Sequence, residues 1–140
     1  MIIGIGTDLL DMRRIEKINK RYPGKFEKFL LSTCEIAYDK NKGHLLKESQ
    51  KIKSLAKRFA AKEAVSKACG VGICQSLSFK DITIWHGLQA PPKAFLSKRS
   101  LRALWPELKE CEEIKLDLSL SDEYPYIQAF SILHKIKRAL

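Results

Sequence analysis

The stretch from Glu48 to Cys69 reads as one long helix, and two charges sit on its apolar side. A helix puts Ile52, Ala56, Phe59 and Ala60 along one face, and Glu63 and Lys67 fall on that same face one turn apart. Any ordinary core helix could carry Leu or Ala there. Burying an ion is costly unless something pairs with it. Either the two charges pair only with each other, as a Glu four residues before a Lys does on a surface helix, or they face a polar ligand in a cleft. The second reading makes this helix the wall of an active site. Ala56, Ala60, Ala64 and Ala68 keep the neighbouring surface low, so another backbone or a ligand can come close. Gly70 is placed to stop the helix.

The rest of the chain surrounds that helix with short elements. Met1 to Gly6 is an apolar run that reads as a buried strand ended by Thr7-Asp8. Leu9 to Tyr22 carries a helical pattern through Leu9, Met12, Ile15, Ile18 and Tyr22, stopped by Pro23-Gly24. Phe26 to Leu31 is apolar enough to pack, and Ser32-Thr33-Cys34-Glu35 has the form of a capping box before a short helix. Lys40 to His44 reads as an exposed loop, Ile73 to Ser78 as irregular, and Ile82 to Trp85 as a strand. Pro91-Pro92 breaks the chain, and Ala94 to Leu104 reads as an amphipathic helix ended by Trp105-Pro106. Ile114, Leu116, Leu118 and Leu120 alternate with Lys115, Asp117, Ser119 and Ser121, a half-buried strand. Asp122 to Pro125 connects it to a partner strand, Tyr126 to Leu133. Helices grouped before strands point to an α+β domain spanning 1–140.

Composition narrows the classes. No apolar run reaches the length of a membrane span. The N-terminus lacks a basic n-region and meets Asp8 at once, so it does not read as a signal peptide. Cys34, Cys69, Cys74 and Cys111 form no Cys-x-x-Cys pair and have no zinc-spaced histidine, so they read as reduced cytosolic thiols. The formal net charge is +10, which predicts an acidic partner. Arg14, Lys17 and Arg21 form a basic stripe along the Leu9–Tyr22 helix, continued by Lys25 and Lys28. A solvated basic face with no partner is the plain alternative.

Asp8 reads on its own as a helix N-cap. If it instead faces Glu63 across a cleft, the two carboxylates repel unless a cation lies between them. Oxygen ligands without thiolate or imidazole suit magnesium, completed by waters and substrate phosphates. Lys67 would then touch the same phosphates as a point charge. Such a set is what phosphate transfer requires. A magnesium-dependent phosphohydrolase uses the same carboxylates. A basic nucleic-acid-binding module accounts for the charge, but for neither Asp8 nor Glu63 and Lys67.

The motifs go further. Gly4-Ile5-Gly6-Thr7-Asp8-Leu9-Leu10-Asp11-Met12-Arg13-Arg14-Ile15-Glu16 resembles the N-terminal signature of the bacterial holo-[acyl-carrier-protein] synthases. Arg58-Phe59-Ala60-Ala61-Lys62-Glu63-Ala64-Val65-Ser66-Lys67-Ala68 resembles their second signature. Gly70-Val71-Gly72-Ile73, Leu77-Ser78-Phe79 and Leu118-Ser119-Leu120-Ser121-Asp122-Glu123 follow in the same order. The resemblance implies the 4′-phosphopantetheinyl transferase fold, a small antiparallel sheet with helices packed on it, one copy per chain. It implies transfer of 4′-phosphopantetheine from coenzyme A to a serine of apo acyl carrier protein. Adenosine 3′,5′-bisphosphate leaves, and the step serves fatty acid biosynthesis in the cytoplasm. By the same resemblance Asp8 and Glu63 hold magnesium, and Lys67 stabilises or protonates the leaving phosphate. Arg58, Lys62, Ser66 and Gly70 lie near the nucleotide, as do Ser121 and Asp122. Arg14 docks the carrier, with Arg21 and Phe26 beside it. The family's small members are trimers with the active site between subunits. Two departures stand out: Ser121-Asp122 where relatives carry Ser-His, and Ala90-Pro91-Pro92 in place of Gly-Lys-Pro. The base that takes the serine proton is Glu63 or a metal-bound water.

Overall fold

The computed structural model describes residues 1–41, 47–86 and 90–139. The elements run β1 (Ile2–Asp11), α1 (Arg13–Arg21), α2 (Lys25–Leu30), α3 (Thr33–Asn41) and α4 (Glu48–Ala68). A 3-10 turn at Phe79–Asp81 leads into β2 (Ile82–Trp85), β3 (Lys93–Leu96), α5 (Lys98–Leu104), β4 (Glu112–Glu123) and β5 (Tyr126–Lys137). The strands form one five-stranded sheet in the order β1-β5-β4-β3-β2, every neighbour antiparallel. This is the expected α+β architecture.

The long helix α4 lies across β1 and β5 and fills the middle of the fold. Its approach to β1 is set by two glycines. Period-two alternation points Gly4, Gly6, Asp8 and Leu10 to the helix side. A Cβ at Gly4 would stand 1.9 Å from the carbonyl oxygen of Ala68, and one at Gly6 would stand 2.0 Å from that of Ala64. Strand backbone therefore touches helix backbone. Ala56, Ala60, Ala64 and Ala68 are buried in this contact and the adjoining core, which corrects the idea that they leave room for a ligand.

Several boundaries differ from the expectation; β4 runs on to Glu123 and β5 to Lys137. β1 runs on to Asp11, so Leu9 and Leu10 belong to a strand and α1 begins at Arg13. Leu9 fits a helical stripe, yet it stands on the open face of the sheet with 68% of its surface exposed. Asp8 is consequently no helix cap; the first N–H of α1, that of Arg13, donates to Asp11 at 3.0 Å. The Ala94–Leu104 segment is a strand and then a helix, joined at Ser97, whose hydroxyl accepts from the N–H of Ser100. Lys40 belongs to α3, and the remainder of the expected Lys40–His44 loop beyond Asn41 lies outside the described residues.

α4 is held in rotation by a buried ionic cluster. Lys62 is fully buried, and its ammonium donates to the carbonyls of Leu30 (2.6 Å) and Phe79 (3.0 Å) and to Glu35 Oε2 (2.7 Å). Those are its three available donors. Glu35 also closes the capping box: it accepts from the Ser32 N–H at 2.7 Å, and its own N–H donates to Ser32 Oγ at 3.3 Å. Its other oxygen accepts from the Ile84 N–H at 3.1 Å. One carboxylate therefore ties α3, α4 and β2 together. Burial lowers the Lys62 pKa to about 8, opposed by the charge and hydrogen bond of Glu35.

Candidate active site

Asp8, Glu63 and Lys67 meet at the crossing of β1 and α4. The glycines bring the strand down onto the helix, and Asp8 is the next residue on that side of β1. Glu63 and Lys67 are one turn apart, and helical side chains lean toward the N-terminus, so Lys67 reaches back over Glu63. Its ammonium donates to Asp8 Oδ1 at 3.0 Å and to the Thr7 carbonyl at 2.9 Å. The Asp8 side chain is 15% exposed and that of Lys67 50%. The cluster is thus at the surface, and the deeply buried charges of α4 are Arg58 and Lys62. This corrects the placement of Glu63 and Lys67 inside the apolar stripe: Glu63 is half-buried and Lys67 exposed.

The electrostatics are those of an incomplete site. Burial raises the Glu63 pKa, and the Asp8 charge raises it further, against the opposing fields of Lys67 and Arg14. Lys67 pairs with Asp8, leaving Glu63 with no ion pair or hydrogen bond to its carboxylate among the described residues. Among those residues no cluster of three metal-ligating side chains forms. The protein thus offers two carboxylates and no thiolate or imidazole. Such a donor set fits a hard divalent cation that keeps waters and takes further oxygens from a phosphate ligand.

Other expected site residues fall elsewhere. Arg14 is exposed on α1 and close enough to act on Glu63, so the basic helix borders the site. Arg21 is exposed, its guanidinium 5.4 Å from the Tyr22 ring centre. Gly70 turns the chain after α4 with φ 77°, a conformation that favours glycine. Lys62 and Ser66, expected beside the nucleotide, point into the chain's own interior; Ser66 is fully buried and donates to the Glu63 carbonyl at 2.8 Å. Arg58 is buried as well, with its guanidinium donating twice to Asp39 at 2.7 and 2.8 Å. Phe26, expected at the carrier contact, is buried in the core against Phe59. The exposed ring of α2 is Phe29.

Ser121 is exposed near the end of β4, and Asp122 beside it forms ion pairs with Lys53 (2.7 Å) and Lys57 (3.7 Å) of α4. In place of an imidazole, this chain has a carboxylate clamped by two lysines. They hold the Asp122 carboxyl below its ordinary value, the Lys53 hydrogen bond foremost. A cavity of about 470 Å³ next to them is lined by Asn19, Glu48, Ile52, Lys53, Asp122 and Tyr124 among others. None of Asp8, Glu63 and Lys67 lines it, so the concave feature and the charged cluster are separate places.

The sequence reading missed Gly4 and Gly6 as site-forming residues. Their signal was present: two glycines at strand spacing before an aspartate, opposite alanines at helix spacing.

Comparison with known proteins identifies the family. The sequence model of the 4′-phosphopantetheinyl transferase superfamily matches residues 4–124. A holo-[acyl-carrier-protein] synthase of Nitrobacter hamburgensis is 35% identical over 136 residues, covering 97% of this chain and 96% of that protein. The crystal structure of the holo-[acyl-carrier-protein] synthase from Neisseria meningitidis superposes with a TM-score of 0.76 at 34% identity, covering 96% of this chain and 99% of the other. That of the Helicobacter pylori synthase in complex with coenzyme A gives 0.71 at 34% identity, with 93% and 99% covered. The chain belongs to the 4′-phosphopantetheinyl transferase superfamily, among its holo-[acyl-carrier-protein] synthases.

Proposed function

We propose that this chain transfers the 4′-phosphopantetheine group of coenzyme A to a serine of an acidic apo acyl carrier protein, releasing adenosine 3′,5′-bisphosphate. The observation that carries the reading is the meeting of Asp8, Glu63 and Lys67 at the β1–α4 crossing, in a chain bearing both family signatures. The Helicobacter pylori relative solved with coenzyme A supports that compound as the donor.

In this reaction the serine oxygen forms a bond to the β-phosphorus, and the bond from that phosphorus to the bridging oxygen breaks. Asp8 and Glu63 would hold magnesium, which when bound neutralises the charge of the pyrophosphate. Lys67 is placed to neutralise or protonate the departing phosphate, as an ammonium at the rim of the cluster. Glu63, facing the cluster, is one candidate acceptor of the serine proton. A water held beside it would serve as the alternative acceptor. Arg14, exposed on α1 with its charge acting on Glu63, is positioned to guide an acidic carrier toward the cluster.

The same reading makes 1–140 one catalytic domain, and the working unit a cytoplasmic trimer with coenzyme A between subunits, serving fatty acid biosynthesis. The open face of the sheet supports assembly, because Ile5, Leu9, Phe95 and Phe130 stand exposed on it. Light scattering should return three times the 16.0 kDa chain mass; a single chain mass would reject the trimer.

The test of function is direct. With coenzyme A, magnesium and an apo acyl carrier protein, the carrier should gain the mass of one phosphopantetheine, and should gain none without magnesium. A carrier of unchanged mass in the complete mixture rejects the reading.

A further inference from the structure

The Lys67 ammonium occupies an oxygen that a divalent cation would need. It holds Asp8 Oδ1 at 3.0 Å and the Thr7 carbonyl at 2.9 Å, both from β1. Glu63, one turn earlier on α4, has no ion pair or hydrogen bond to its carboxylate among the described residues. Asp8 also acts against the ionisation of Glu63. One ammonium thus answers two carboxylates and is committed to one of them. The commitment is a weak one. Half of the Lys67 side chain is exposed, and an ion pair so open to water contributes little. Lysine is also a point charge on a flexible stem, with no fixed fork that ties it to one acceptor. Arg14 differs: its charge acts on Glu63, but it makes no bond to Asp8 among the described residues.

We propose that Lys67 is a displaceable stand-in for the metal at Asp8, and that this makes a divalent cation and coenzyme A bind cooperatively. This rests on the transfer reading above. An ammonium and a divalent cation compete for the same Asp8 oxygen. Taking Lys67 off Asp8 weakens metal binding unless another acceptor receives the ammonium. The phosphates of coenzyme A are that acceptor. Coenzyme A therefore draws Lys67 from Asp8, and a cation on Asp8 frees Lys67 for the phosphates. Each ligand lowers the cost of binding the other, and such coupling is reciprocal. The handover also leaves Lys67 on the phosphates, where the reaction needs it. The plain alternative is that Lys67 only subtracts charge from the site. It would then weaken metal binding equally with and without coenzyme A.

The experiment titrates manganese ion into the full chain, with and without coenzyme A. Free manganese is read by its paramagnetic resonance, and no carrier is added, so nothing turns over. Wild type, Lys67→Met and Arg14→Gln are compared. Lys67→Met keeps the apolar stem and removes the charge. Without coenzyme A it should bind manganese about tenfold more tightly than wild type, because a like charge beside the ion is gone. With coenzyme A present, the two proteins should agree within about twofold, so the tightening by coenzyme A shrinks by about fivefold in the variant. Arg14→Gln should keep the wild-type tightening. Two results overturn the inference: manganese affinity without coenzyme A unchanged in Lys67→Met, or a tightening by coenzyme A as large as that of wild type. An equal loss of tightening in Arg14→Gln also overturns it, since any nearby cation would then serve. Wild-type protein that binds no manganese even with coenzyme A present overturns the metal reading beneath it.

Discussion

Lys62 and Glu63 are adjacent on one helix and lead opposite lives. Lys62 faces inward, is fully buried, and has each of its three donors matched by an acceptor within 3.0 Å. Glu63 faces the β1–α4 crossing, where burial first and the neighbouring Asp8 carboxylate second raise its pKa. One region is a closed electrostatic system and the other an open one. The closed region holds the helix in rotation, so that the open one can keep two carboxylates close without a fixed partner for each. Natural proteins concentrate such unsatisfied groups at functional sites and offset them elsewhere in the fold.

The sharpest way to break this comparison is to open the closed side. Lys62→Met leaves Glu35 charged and buried, and removing one member of such a pair costs about 3–5 kcal/mol. Urea unfolding should show that loss. Adding Glu35→Leu should restore only part, because the N–H groups of Ser32 and Ile84 then lose their acceptor. A near-neutral Lys62→Met would mean the cluster is not what fixes α4.

The next effect comes from separating the two elements that form the open site. Gly6→Ala drives a methyl into the Ala64 carbonyl, and overpacking of this kind costs about 1–3 kcal/mol. Transfer should fall further than stability, since the displaced strand carries Asp8. Equal stability and activity in Gly6→Ala would contradict the close approach as the origin of the site.

Acid sharpens the contrast through two carboxylates of opposite sign. Burial would raise the Asp81 carboxyl, but hydrogen bonds from Arg99, Ser97 and Ser78 outweigh it and hold it at about 2, against an ordinary 3.8. Its contribution is present above pH 3.8 and is lost as the pH falls toward about 2. Glu63, with a raised pKa, contributes in the reverse sense: its stabilisation is full at low pH and is lost as the pH rises through its folded value. Asp81→Asn should therefore flatten the acid limb of a stability profile between pH 4 and 2. The smallest effect is that of Glu63→Gln on the protein without metal. It relieves repulsion from Asp8 and should raise the melting temperature slightly, measured by calorimetry.

Much of this was legible in the chain itself, and the failures have physical reasons. The alternation from Ile114 to Ser121 marks a strand because its apolar side chains face the core and its polar ones do not. The long helix and its stop at Gly70 follow from periodicity and a required positive φ. The β1–α1 boundary was misread because Leu9 is apolar yet stands on the open face of the sheet, where local pattern and burial disagree. The strand Lys93–Leu96 was hidden because it is only four residues long and runs almost directly into the helix Lys98–Leu104. Lys62 was assigned to a ligand because its real partner, Glu35, lies 27 residues away. Asp8, Glu63 and Lys67 were found from charge placement and family motifs, and the structure brings them together. Phe26 is buried, which its place in a short helix does not reveal in sequence.

The most direct measurement of the central claim is phosphopantetheine transfer to an apo acyl carrier protein, titrated with magnesium, for wild type and Glu63→Gln side by side. The account predicts saturable magnesium-dependent transfer by the wild type. It predicts a loss of about 10²–10⁴-fold in the variant, with the fold retained and the melting temperature no lower than that of the wild type. Transfer by Glu63→Gln at the wild-type rate and the same magnesium midpoint would contradict it.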